Sequence, residues 1–313
     1  MSIKVSIIGS SNIAYEHLKS LKEVGISVTS VASSKNSNSA KKFSKEFNLR
    51  YYSSVDQLIN NFNDDGLIIA CKSEYLLPVL KKSLKLNTKI LIEKPVTNKS
   101  EKVISLLKNK NIMVGFNRRY YKSVNTLKDL IKQDFNIKYF GSLTIPESLP
   151  SNKISKKYHL DELIKNGIHN IDIVNYLFGK VNIKNVIYEK SHLSRYSFTL
   201  YNSKCSIEVS SISNAIQNSQ LDIFTDKFRF QLLPIEKLNI FDTLEVNEPT
   251  KNFPLRNYTP KLSKSITEKN FSFKPGFLSQ SELFYKFINN THQSTPPSIK
   301  DVYNSLLILD KLR

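Results

Sequence analysis

Lys4-Val5-Ser6-Ile7-Ile8-Gly9-Ser10-Ser11-Asn12-Ile13-Ala14 reads as a β-strand, a tight turn and the opening of a helix. The apolar β-branched run stops at Gly9, and Leu18, Leu21 and Val24 then recur at helical spacing. The same alternation continues downstream. Ile26 to Ser33 is a second apolar run, Ser39 to Phe47 is helical, and Leu49 to Tyr52 is a short strand. Ser54 is placed to cap a helix, with Gln57 in the capping-box position and Leu58, Ile59 and Phe62 on the inner face. Gly66-Leu67-Ile68-Ile69-Ala70-Cys71 is the continuous apolar run of a parallel strand covered on both faces. A helix from Leu76 to Leu86, the strand Lys89-Ile90-Leu91-Ile92, a helix from Ser100 to Leu107 and a sixth strand from Asn111 to Phe116 complete the series. Regular strand–helix alternation of this kind predicts a doubly wound parallel sheet of the Rossmann type.

From Tyr121 the pattern changes. A helix to Ile131 precedes a strand from Ile137 to Pro146, a polar loop from Ser148 to Tyr158 and a helix around His169. Ile183 to Glu189, Tyr196 to Tyr201, Cys205 to Ile212, Leu221 to Thr225 and Phe228 to Leu233 then follow without helices between them. Grouped strands predict a largely antiparallel open sheet, hence an α+β second domain. Residues 240 to 275 carry four prolines and few apolar repeats and read as a long loop. Helices from Ser279 to Asn290 and from Asp301 to Leu312 close the chain. The expected division is a parallel α/β domain over residues 1–119 and an α+β domain over 120–313.

The chain of 313 residues has room for two such cores without disulfide staples. Its formal charge is +19, from 46 basic against 27 acidic residues. The lysines are scattered through most segments, as at Lys41, Lys42, Lys81, Lys82, Lys156 and Lys157, with no Arg-rich arm, zinc-ligand array or aromatic-basic module. That distribution argues against specific nucleic-acid recognition and leaves a surface that attracts small anions. Cys71 and Cys205 each sit in an apolar run and read as core residues of a reducing compartment. No window approaches the length of a membrane span, and the first residues pass directly into a strand, so cytoplasmic residence is expected.

The first turn resembles the dinucleotide fingerprint G-x-G-x-x-G/A, with Gly9 first, Ser11 in the second place, Asn12 and Ile13 between, and Ala14 third. Ser11 is a departure, because the second glycine normally lets backbone approach the pyrophosphate. Ser33-Ser34-Lys35 stands where an acidic residue would hold the adenosine ribose of NAD. Hydroxyls and a lysine suit a 2′-phosphate better, so the expected cofactor is NAD or NADP, with NADP favoured. Ligands of open α/β sheets gather at the carboxyl ends of the strands, which adds Cys71, Lys72, Glu93 and Lys94 to the cofactor candidates. Pro95 restrains Lys94 to extended geometry at the strand end; the plainer reading is a turn of solvated charges. In the second half, Gly167-Ile168-His169-Asn170-Ile171-Asp172 opens a helix that Gly179 caps. His169, Asp172 and Tyr176 share one face, and Ile168, Ile171, Val174 or Asn175, and Phe178 the core face. A lone histidine on such a helix is commonly structural.

The whole pattern resembles the Gfo/Idh/MocA family of nicotinamide-dependent oxidoreductases. Carrying the resemblance are the Gly9 turn with His17 three residues beyond Ala14, Glu93-Lys94-Pro95, Gly115-Phe116-Asn117-Arg118-Arg119, Gly167-x-His169-x-x-Asp172 leading to Leu177-Phe178-Gly179, and the terminal helices around Pro296-Pro297. It implies hydride transfer between NAD(P) and a secondary alcohol or ketone of a sugar, nucleotide sugar or polyol. Lys94 and His169 would handle the proton, Glu93 would lie near the nicotinamide, and Lys94, Asn117, Arg118, Lys165, His169 and Asp172 would meet substrate. A homo-oligomer is implied, and no metal. Lys165 replaces the Asp or Asn that relatives often carry four residues before the histidine, and Cys71-Lys72-Ser73 replaces their Thr-Pro. These departures and Ser11 define the alternative, a catalytically silent member that senses a ligand or acts as a scaffold.

Overall fold

The computed structural model describes residues 3–133, 137–150, 154–190, 193–268 and 272–313. These residues divide into two compact units: the described parts of Met1–Tyr120 with Asn270–Asp310, and of Tyr121–Lys269 with Lys311–Arg313.

In the first unit β1 (Lys4–Ile8), β2 (Ser27–Ala32), β3 (Arg50–Tyr51), β4 (Gly66–Ile69), β5 (Lys89–Ile92) and β6 (Ile112–Val114) form a parallel sheet in the order β3-β2-β1-β4-β5-β6. The connections are α1 (Asn12–Glu23), α2 (Asn38–Glu46), α3 (Val55–Asn60) and α4 (Ser73–Ser83). The order reverses direction between β1 and β4, which opens a crevice at their carboxyl ends. The helix starts follow their local chemistry. Ser37 accepts a hydrogen bond from Ala40 N at 3.2 Å and Ser54 accepts one from Gln57 N at 3.1 Å. The expected capping box is displaced by one residue, because Gln57 Oε1 accepts from Ser53 N and not from Ser54 N. Phe62 falls beyond the end of α3, and the helix expected over Ser100 to Leu107 is a 3-10 turn, Ser100–Leu106.

The second unit contains α5 (Lys122–Gln133), β7 (Tyr139–Glu147), α6 (Lys156–Glu162), α7 (Ile168–Phe178) and the strands β8 (Asn182–Glu189), β9 (Arg195–Tyr201), β10 (Cys205–Ser213), β11 (Gln220–Phe224), β12 (Arg229–Leu232), β13 (Lys237–Asn247) and β14 (Asn257–Thr267). Among the described residues the sheet has the order β14-β13-β12-β11-β7-β10-β9-β8, with β10 parallel to β7 and the other pairs antiparallel. Alternate residues of β7, namely Tyr139, Leu143 and Ile145, turn into the core, while Phe140 stays 55% exposed on the open face. Residues 151–153 of the expected polar loop lie outside the described residues, and Ser155 ends that loop by capping α6.

The long loop expected over residues 240 to 275 is largely a β-hairpin, β13 with β14; residues 269–271 lie outside the described residues. Its prolines do not oppose this. Pro249 and Pro254 fall in the connection, and Pro260 sits on β14, which is the edge of the sheet, where a missing N–H breaks no ladder. The overlooked signal was the period-two alternation Leu244-Glu245-Val246-Asn247 and Tyr258-Thr259-Pro260-Lys261-Leu262.

The terminal helices α8 (Phe277–Ile288) and α9 (Ile299–Asp310) belong to the first unit and not to a continuous domain 120–313. Phe284 and Phe287 join Val5, Ile7, Leu21, Phe43, Ile68, Leu91 and Met113 in one buried cluster. Each such side chain contributes about 1.5–3 kcal/mol by leaving water. Polar ties add to this. Pro297 O accepts from Val114 N at 2.8 Å, Ser100 N donates to Asp310 Oδ2 at 3.0 Å, and Arg119 Nη2 donates to Asp301 Oδ1 at 2.8 Å.

Candidate active site

The crevice beside β1 and β4 is a cleft of about 570 Å³. Gly9 forms its floor at φ +127°, and a Cβ there would stand 2.3 Å from Ala70 O. Only glycine fits both the backbone conformation and that approach. Ser11 Oγ donates to the same carbonyl at 3.2 Å, so its side chain is tied back against the end of β4. Of the expected cofactor residues, Gly9, Ser11, Ser33, Ser34, Cys71 and Lys72 line the cleft together. Asn12 and Ile13 form the first turn of α1, and Lys35 is exposed directly after Ser34. Ser10, Ser37 and Ser39 were missed and join the lining; Ser39 Oγ lies 2.8 Å from Ser10 Oγ and 2.9 Å from Ser37 Oγ. The cue was the Ser-Asn-Ser run Ser37 to Ser39 at the head of α2. No carboxylate is among the residues lining the cleft. Burial pushes the Cys71 thiol up to about 11, which keeps it neutral.

Glu93 and Lys94 are half-buried at the carboxyl end of β5. Glu93 N donates to Ile69 O at 2.9 Å, its Oε1 accepts from His17 Nε2 at 2.8 Å, and the Lys94–Pro95 peptide is cis. Val96 follows at φ +64°, a conformation that costs a β-branched residue on the order of 1–2 kcal/mol and persists where surrounding structure imposes it. Asn117 and Arg118 occupy a 3-10 turn after β6, where buried Asn117 donates to Pro275 O at 3.0 Å.

In the second unit α7 follows a π-helical turn, Leu163–Gly167. His169 and Asp172 are 7% and 1% exposed while Tyr176 is partly exposed, so most of the face that carries them is buried along with the apolar one. Lys165 is exposed in the π turn and its Nζ donates to Glu162 Oε1 at 2.7 Å. The Lys165 cation is therefore offset by a neighbouring carboxylate. Lys94, Asn117 and Arg118 belong to the first unit, and Lys165, His169 and Asp172 to the second.

The model of the Gfo/Idh/MocA oxidoreductases, described as an oxidoreductase family with an NAD-binding Rossmann fold, matches residues 3–117. Among curated relatives, glucose-6-phosphate 3-dehydrogenase of Bacillus subtilis is 30% identical over 197 residues, covering 56% of this chain and 53% of the relative. Inositol 2-dehydrogenase of Corynebacterium glutamicum is 23% identical over 188 residues, covering 57% and 55%. The chain thus spans about half the length of the curated relatives it matches. Solved structures extend the likeness of fold over the rest. A dehydrogenase from Clostridium difficile has a TM-score of 0.76 at 18% identity, covering 99% of this chain and 98% of that one. Myo-inositol dehydrogenase from Lactobacillus casei, in complex with NAD(H) and myo-inositol, has 0.72 at 18%, covering 99% and 93%. No helix among the described residues is long and apolar enough to cross a membrane.

Proposed function

We propose that the protein is a nicotinamide-dependent oxidoreductase that moves a hydride between NAD(P) and a secondary alcohol or ketone of a sugar, nucleotide sugar or polyol. The observation that carries this reading is the cleft at the carboxyl ends of β1 and β4, floored by Gly9, within a segment that matches NAD-binding oxidoreductases. Gly9, Ser11 and the first turn of α1 would hold the pyrophosphate, and Glu93 and Lys94 the nicotinamide end. The bound nicotinamide supplies the hydride acceptor. Lys94 holds the substrate oxygen and lowers the alcohol's pKa by its charge, and His169 takes and returns the proton. Asp172 orients His169 or a substrate hydroxyl, while Asn117, Arg118 and Lys165 serve binding. The two curated relatives are named for dehydrogenation of glucose 6-phosphate and inositol, and the formal charge of +19 favours an anionic sugar among such compounds.

For the cofactor the choice is NADP. A carboxylate that would accept from the ribose 2′-hydroxyl and repel a 2′-phosphate is absent from the cleft lining, where Ser33, Ser34, Ser37 and Ser39 gather beside Lys35. Fluorescence titration with NADH and NADPH tests both points. Failure of either to bind up to millimolar concentration removes the cofactor reading, and Ser33→Asp should shift the ratio of affinities toward NADH by about tenfold. In the active enzyme Lys94→Ala and His169→Ala should each lower kcat by roughly 10²–10⁴; unchanged turnover would support the silent, ligand-sensing alternative.

A further inference from the structure

His17 is fully buried on α1, and its ring packs 5.0 Å from that of Phe277 on α8. One turn further along, Ser20 Oγ and Ser281 Oγ meet at 2.8 Å, so α8 holds this face of α1 in place. The ring spends its Nε2–H on Glu93 Oε1 at 2.8 Å, across 76 residues of sequence. The carboxylate is also given room. Gly115 stands beside it, and a Cβ at that position would lie 3.0 Å from Glu93 Oε1. Three elements thus fix one carboxylate whose side chain is only 12% exposed. A carboxylate this withdrawn from water needs a donor to hold it.

That carboxylate lies at the carboxyl end of β5, two strands from the Gly9 turn on the side away from Ser33. A dinucleotide with its adenosine over β2 and its pyrophosphate at Gly9 directs its nicotinamide there. We propose that His17 is a positioning residue, which holds the Glu93 carboxylate where it accepts a hydrogen bond from the nicotinamide carboxamide. The inference rests on the oxidoreductase reading and assigns a task to a histidine that never meets the ligand. Without His17 the carboxylate keeps its burial but loses its direction.

The experiment compares two ligands, the reduced dinucleotide and the same molecule without its nicotinamide, ADP-ribose or its 2′-phosphate. His17→Ala and Glu93→Ala should each weaken dinucleotide binding about tenfold and leave the nicotinamide-free ligand unchanged. His17→Gln, whose amide nitrogen replaces the donor, should restore most of the loss. The double variant should be no weaker than Glu93→Ala alone, because His17 acts through Glu93. Should His17→Ala fail to fold, His17→Leu, which fills the site without a donor, carries the ligand comparison in its place. Equal losses for both ligands, no loss, or additive losses in the double variant would overturn the positioning role while leaving the oxidoreductase reading intact. A wild-type protein that binds ADP-ribose and no dinucleotide would overturn both.

Discussion

Gly9 and His159 are two residues whose surroundings leave little freedom. At Gly9 a methyl group would meet the Ala70 carbonyl at 2.3 Å while φ is +127°. Gly9→Ala should therefore cost on the order of 2–4 kcal/mol and abolish dinucleotide binding, checked by urea unfolding and fluorescence titration. His159 is fully buried, with Nε2 2.9 Å from Ser211 Oγ and Nδ1 3.2 Å from Ser194 Oγ. Burial pushes its pKa from 6.5 down to about 4. The folded pKa is depressed, so the unfolded chain takes up the proton first. Stability is complete above pH 6.5 and falls between 6.5 and about 4. The loss should approach roughly 3 kcal/mol at the acid end, and the urea midpoint of His159→Gln should show a flatter slope over that window.

At the scale of elements, the pair of buried Arg119 with partly exposed Asp301 ties the turn after β6 to α9. Burial alone would raise the Asp301 carboxyl, but the Arg119 guanidinium and the Ser298 donors overcome it and hold it below the carboxylate range. Its contribution is present at neutral pH and is lost as pH falls through that depressed value. Arg119→Ala leaves a partly exposed carboxylate held only by Ser298 and should cost about 1–2 kcal/mol, measured by denaturant unfolding at pH 7 and converging with wild type in acid. The strands and most helices of the first unit were legible because each repeats its period within a few residues. The hairpin was not, because its prolines outweighed an alternation that the edge position of β14 makes harmless. Its apolar side chains Leu244, Val246, Tyr258, Pro260 and Leu262 fall on one face by register, opposite Glu245 and Lys261.

For the whole molecule, that face is an exposed apolar surface among the described residues. Leu244, Val246, Tyr258 and Leu262 are 48–61% exposed, and Phe241, opposite Leu262, joins them to the open side of the sheet with Phe224 and Phe140. The area is on the order of 500 Å² per chain, which doubled in a symmetric pair approaches a standard interface. A second copy is the occupant we propose, since it would bring a like apolar row against this one, with the Arg229 guanidinium lying over the Phe224 and Phe241 rings. Replacing Leu244 and Tyr258 by lysine should give a folded monomer in sedimentation velocity against a dimer for wild type; a monomeric wild type would refute the pairing. By itself the sequence determined the parallel sheet, the Gly9 turn and the strand that ends at Lys94, because periodicity and glycine chemistry act within a few residues. Only the tertiary structure decided that α8 and α9 complete the first unit, that serines of α2 line the cleft and that His17 holds Glu93. Those depend on which distant side chains meet in a packed core, and no local pattern encodes that.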